Sequence, residues 1–169
     1  MNQGERATQE QVQAAQYQLG LVLGFFPRVD ALLAALLGLN VAMLGVAFAR
    51  APAVGQFTSQ QVVIALIYLA LTAMSLRCLY RGSFPDTDGG VGSLVYFGEI
   101  AKLHPADYVE RFGKQTEAEL SRALLHQAWR NSCILSNKFQ SLKIAYRWLL
   151  ASVVPWAVAL LAFPPVKGA

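Results

Sequence analysis

Three long stretches of this chain carry no formal charge, and that decides which solvent its fold is built for. No Lys, Arg, Asp or Glu occurs from Ala31 to Ala49, from Ala51 to Leu76, or from Trp148 to Val166. A helix needs about 20 apolar residues, at about 1.5 Å each, to cross about 30 Å of hydrocarbon. Each stretch meets or nearly meets that length. The whole chain is 55% apolar and 14% charged, against about 25% charged for a soluble domain. The reading is an all-α integral membrane protein with three spans, near 30–50, 58–79 and 145–164. Ala47-Phe48-Ala49 imitates a signal-peptide cleavage site. The apolar run there is too long and its polar leader lacks a compact basic start, so no cleavage is expected.

The cations set the orientation. Ten of the 14 Lys and Arg residues lie between Arg77 and Arg147, and Arg77, Arg81, Lys138, Lys143 and Arg147 flank the second and third spans. The positive-inside rule then puts the N-terminus and the middle of the chain in the cytoplasm. Cys78 and Cys133 fall on that reducing side, so no disulfide is expected. The chain divides into an amphipathic cytoplasmic N-terminal helix (1–27), a transmembrane hairpin (28–81), a cytoplasmic helical segment (82–144), the third span (145–164) and a tail (165–169).

Local signals fill in this plan. Thr8-x-x-Gln11 reads as a capping box, and Val12, Ala15, Leu19, Val22 and Phe26 follow at helical spacing. That helix is poor in Lys and Arg, which fits packing on a partner helix better than lying on anionic lipid. Pro27 is expected to end it. Gly82 to Gly92 is a loop by composition, and a helix is expected from Ser93 to Leu103. His104-Pro105 starts another that Gly113 stops. Thr116-x-x-Glu119 is a second capping box, and no breaker follows before Pro155. One long helix is expected to run from there through the third span. Leu124, Ala128, Leu135, Phe139, Leu142 and Tyr146 make its expected apolar stripe, interrupted by Asn131.

Catalytic signatures are missing from the sequence. His104 and His126 are the two histidines, and neither has the spacing of a metal site or a Cys partner, so no metal, cofactor or catalytic residue is expected. His104 reads as a helix cap and His126 as a solvated helix residue. Asp88-Gly89-Gly90-Val91-Gly92-Ser93 precedes a helix, where free N–H groups can hold a phosphate, and the same glycines serve a plain turn. Asp30 and Asn40 are the polar groups of the first span. Asp30 is placed as an interfacial anchor, and Asn40 is expected to bond another helix or subunit. In the middle segment, Tyr96 and Phe97 offer rings for a flat base. Lys102, Arg130 and Lys138 suit a phosphate, and Asn131, which shares a helix face with Lys138, suits a base edge. The plain alternative is core aromatics, solvated cations and an Asn that sets helix register.

Several of these motifs resemble a known family. Arg28-Val29-Asp30-Ala31 with Leu36-Leu37-Gly38-Leu39-Asn40 resembles the first-span signature of the Pycsar transmembrane effectors, a bacterial anti-phage family. Ser93-Leu94-Val95-Tyr96-Phe97-Gly98-Glu99-Ile100-Ala101 resembles its cytoplasmic motif, and Tyr108 fits its next aromatic. Gln127-Ala128-Trp129-Arg130-Asn131-Ser132 with Lys138-Phe139 resembles its long-helix signature. One departure stands out: Leu32 occupies the place where the family often has Lys, two residues after the Asp. The resemblance covers roughly Arg28 to Phe163. It implies a non-enzymatic effector of the inner membrane that binds a cyclic pyrimidine mononucleotide, cUMP or cCMP, made by a pyrimidine cyclase. Binding would then disrupt the membrane and kill the infected cell. The expected partners are that nucleotide, membrane lipid and further copies of the chain in a homo-oligomer, with no nucleic acid polymer. The expected binding residues are Tyr96, Phe97, Lys102, Arg130, Asn131 and Lys138. The competing class is an accessory or assembly subunit of a membrane complex.

Overall fold

The computed structural model describes residues 3–53, 55–84 and 90–163, with side chains from Gln9 onward. The tail at 165–169, and Asp88 and Gly89 of the glycine loop, lie outside the described residues. Six helices are formed: α1 (Gln3–Leu23), α2 (Phe26–Arg50), α3 (Ser59–Ser83), α4 (Phe97–Ile100), α5 (Pro105–Gly113) and α6 (Glu117–Ala162). Among the described residues there is no strand. Three helical stretches, Gln9–Arg50, Ser59–Ser83 and Glu117–Ala162, are long and apolar enough to cross a membrane. The chain is an all-α membrane protein.

Helix boundaries follow local chemistry, with three departures from expectation. α1 begins at Gln3, so Thr8 lies inside it and does not cap it. Apart from Gly4, its opening run Gln3-Gly4-Glu5-Arg6-Ala7 consists of good helix formers. It stops at Leu23 in a turn held by Gly24 N–H donating to Gly20 O at 3.0 Å. Pro27 therefore does not end α1; it lies in the first turn of α2, where its missing N–H costs nothing. The helix expected over Ser93–Leu103 shrinks to the four residues of α4, because Gly90 and Gly92 adopt φ of 76° and Ser93 forms a side-chain turn. His104 caps α5 by accepting from Ala106 N–H. Thr116 and Glu119 cap α6 reciprocally, at 2.8 Å and 3.3 Å. α6 then continues for 46 residues through Pro155.

The chain forms two compact units, Met1–Arg28 with Pro85–Ser136, and Val29–Phe84 with Asn137–Ala169. In the first, Ala15 is buried and Val12, Leu19 and Val22 are half-buried, so the expected apolar face of α1 is its packing face; Phe26, expected on the same face, is half-buried at the start of α2. Ser121 of α6 reaches the Gln11 carbonyl at 3.5 Å.

In the second unit α2, α3 and the later part of α6 make a three-helix bundle. Lys138 meets Asp30, Ala145 meets Ser75, and Trp156 Nε1 donates to Met43 O at 3.0 Å. α6 therefore runs in the same direction as α2. α3 runs the other way, with Gly82 beside Leu33 and Ser141 and Gln61 donating to Ala162 O at 2.8 Å. Met43, Ala47, Tyr68 and Leu149 form the core, flanked by Leu36, Leu44 and Trp156.

Burial along α6 repeats every seven residues: Leu124, Asn131, Lys138, Ala145, Ser152 and Ala159. A sustained seven-residue spacing is the signature of knobs-into-holes packing. It corrects the expected stripe. Leu124 and Ala128 are buried, but Phe139 and Tyr146 are 40% and 50% exposed. Surrounding lipid is as apolar as a core, so small and polar residues are free to take the seam while large apolar ones face out.

Candidate functional site

The site starts from a glycine turn. Ser93 N–H donates to Gly90 O at 2.8 Å, and Ser93 Oγ accepts from the N–H groups of Val95 and Tyr96 at 3.2 and 3.1 Å. This turn presents Tyr96 as the N-cap of α4. The Tyr96 ring lies between two glycines. A Cβ on Gly90 would sit 3.1 Å from it, and one on Gly98 would sit 2.8 Å from it. Glu99 ties the turn to the helix, accepting from Gly92 N–H at 3.0 Å and pairing with Lys102 at 2.6 Å. These contacts, Lys102 first and the Gly92 N–H second, hold the Glu99 carboxyl below the usual carboxylate range.

Beside this turn lies a groove of about 350 Å³, at the lower end of the roughly 300–1,000 Å³ typical of small-molecule sites. Leu19, Leu23 and Phe26 form its apolar wall. Val95, Tyr96 and Phe97 form another side, and Gln127, Asn131 and Ile134 come from α6. Gln127 Nε2 donates to Asn131 Oδ1 at 3.4 Å, and both residues are largely buried. The Arg130 guanidinium lies 5.4 Å from the centroid of the Tyr96 ring. Phe97 is 71% exposed. The lining carries aromatic faces and two carboxamides but no carboxylate, histidine or thiol. Such a surface suits recognition of a flat polar ligand.

The expected binding residues separate. Tyr96, Phe97 and Asn131 line the groove, and Arg130 covers the Tyr96 ring. Lys102 pairs with Glu99 and does not line it. Lys138 belongs to the second unit, its side chain 6% exposed and paired with Asp30 at 2.6 Å. Its charge is engaged there. Asp30 is thus an ion-pair partner rather than a simple anchor. Asn40 donates to Leu36 O at 2.8 Å and to Ser75 Oγ at 3.2 Å, so it does bond another helix. Of the glycine loop, Gly90, Gly92 and Ser93 border a separate hollow of about 400 Å³ with Arg122 and the exposed His126. Among the described residues no cluster of His, Cys, Asp or Glu is fit to hold a metal, and Cys78 and Cys133 are free thiols.

Sequence reasoning missed Gln127 and the α1 wall of the groove. Gln127 lies one helical turn before Asn131, and that i, i+4 spacing was the available signal. No curated protein and no solved structure matches the chain. A family model described as the Pycsar effector protein domain matches residues 14–163, which takes in both the groove and the three spans. The chain belongs to the Pycsar effector family of anti-phage membrane effectors.

Proposed function

We propose that the first unit binds a cyclic pyrimidine mononucleotide, cUMP or cCMP, and that binding makes the spans breach the inner membrane and kill the cell. The observation that carries this reading is the pairing of Gln127 and Asn131 carboxamides inside an otherwise apolar, aromatic groove. A carboxamide donates and accepts at once, which matches the mixed edge of a pyrimidine. Phe97 offers an exposed face for the base, while the Tyr96 face is taken up by Arg130. Stacking of this kind contributes about 1–3 kcal/mol per base. Arg130, over the Tyr96 ring, supplies positive charge for the cyclic phosphate.

The cation distribution supports placing the N-terminus and residues 82–144 in the cytoplasm, where a cyclase product would be found. α6 contributes residues to both units as one unbroken helix and brings Gln127 and Asn131 to the groove, so it is an element able to carry a binding event to the spans. The ligand acts by favouring one conformation of this element over another. Three spans per chain enclose little space, which supports action as a homo-oligomer.

Titration calorimetry of the detergent-purified protein with cUMP, cCMP and cAMP tests the reading. Heat is expected with one of the pyrimidine nucleotides and not with cAMP. Arg130→Ala should weaken binding by about 10–100-fold, the value of one charge-assisted hydrogen bond of roughly 1.5–3 kcal/mol. No heat with either pyrimidine, together with a stable protein partner in pull-downs, would instead favour an assembly subunit.

A further inference from the structure

The seam of the second unit is polar along half its length and apolar along the rest. From the Arg77 and Lys138 end inward come the Lys138–Asp30 ion pair, Ser141 against Gly82, and then Asn40 donating to Ser75 Oγ. Ser75 Oγ donates in turn to Ala145 O at 3.0 Å, which joins all three helices. Thr72, Ser152 and Tyr68 follow, and all three are buried. Ala47 and Leu149 pack beside Tyr68, and beyond it the seam closes with Trp156 and Ala159 and ends in Phe57 edge-on to Phe163, ring centroids 6.0 Å apart.

Polar seam residues are ordinary glue between membrane helices when their hydrogen bonds are spent. Here several are not. Asn40 Oδ1 is buried without a partner, and the buried Thr72 and Tyr68 hydroxyls have only each other. Tyr68 and Thr72 lie one turn apart on α3, and Thr72 is three residues from Ser75, so these atoms form one continuous row. Meanwhile the outward face carries Leu66, Ile67, Leu69 and Val154, which suits lipid. Polar groups held inside a span bundle with unspent hydrogen-bonding capacity are groups that water would stabilise. A row of them ending at an apolar constriction has the plan of a pathway closed by dewetting.

We propose that this seam is the water and small-ion path of the membrane-breaching state, with Asn40, Thr72 and Ser75 in its lining and Ala47 and Ala159 in its gate. The proposal rests on the membrane-breaching function above and names the surface that performs it. In an assembly, the seams of several copies open together onto one path, since a single three-helix seam encloses little space. Opening hydrates Asn40, Thr72 and Tyr68 and parts the apolar end; closing dries both.

Potassium efflux from proteoliposomes tests this. Thr72→Val is close in shape and removes a hydroxyl that bonds no other helix, so it should fold normally and cut the nucleotide-triggered leak about tenfold, with binding heat unchanged. Ala47→Ser combined with Ala159→Ser adds two small hydroxyls to the gate and should leak without nucleotide. On a background with both native thiols replaced by serine, Thr72→Cys should react with a membrane-impermeant thiol reagent much faster when nucleotide is present, and lipid-facing Leu66→Cys should not. The pathway is overturned if the wild type leaks on nucleotide addition while all three seam variants match it and Thr72→Cys labels no faster than Leu66→Cys. Absence of any nucleotide effect on the wild type overturns the function beneath it. A serine gate that still leaked constitutively would then retain the path without its trigger.

Discussion

At the residue scale, the Asp30–Lys138 pair is asymmetric, and that asymmetry makes a prediction. The Lys138 side chain is 6% exposed and that of Asp30 is 53% exposed. Removing Asp30 leaves an ammonium buried without its partner, whereas removing Lys138 leaves a carboxylate that solvent still reaches. Asp30→Ala should therefore destabilise the bundle by about 1–3 kcal/mol, and Lys138→Met by clearly less. Thermal unfolding in detergent ranks the two, and the reverse order would show that the pair contributes little. Glu99 makes a second prediction, through pH. Its folded pKa is lowered, so its contribution is present above the unfolded value of about 4.3 and is lost as pH falls through the folded value. Hydrogen exchange at Gly92 N–H, corrected for intrinsic rate, should stay slow from pH 7 to about 5 and quicken only in stronger acid. Glu99→Gln should show the fast exchange already at pH 7. Both contacts illustrate what sequence could and could not reveal. Arg28-Val29-Asp30 and Lys138 were visible as charges, but 108 positions separate the pair, and no helical spacing connects them.

Elements were legible where capping and punctuation act locally. The capping box at Thr116, the His104-Pro105 start and the continuity of α6 all rest on residues close in sequence. The seam was harder to read, because hydropathy says how apolar a helix is but not which apolar face meets protein when the solvent is lipid. Phe139 and Tyr146 were assigned inward for that reason, while Lys138 and Ser152 sit on the buried side. Gly82 shows how closely the seam is packed. A Cβ there would lie 3.1 Å from Leu33 Cδ2 and 3.1 Å from Ser141 Cβ; the Leu33 side chain can rotate aside, but Ser141 Cβ moves only with the α6 backbone. Gly82→Ala is thus expected to be mildly destabilising. Gly82→Leu should overpack the crossing and cost about 1–3 kcal/mol, read as a lower unfolding midpoint in the same detergent.

The whole molecule interleaves its two units along the chain, since each combines an early and a late segment. Composition could mark the membrane spans, but it could not tell that α1 shares a unit with residues 85–136, because those contacts are long-range. That is why the α1 wall of the groove went unseen while Asn131 was found. The same interleaving makes α6 pass from groove residues to seam residues, with Asn131 in the first unit and Lys138 in the second, as α2 does from Phe26 to Asn40. If α6 transmits binding, softening it between Asn131 and Lys138 should separate the two activities. Ser136→Gly with Asn137→Gly costs about 1 kcal/mol of helix propensity per site and touches no groove-lining residue. The double variant should bind the pyrimidine nucleotide with unchanged heat and affinity yet lose most of its nucleotide-triggered potassium efflux. Full efflux with normal binding would mean that the signal reaches the spans by a route other than α6. Weakened binding with proportionate loss of efflux would mean that the substitution acts on the groove itself. A normal affinity with a lost leak is the one outcome that a rigid α6 requires.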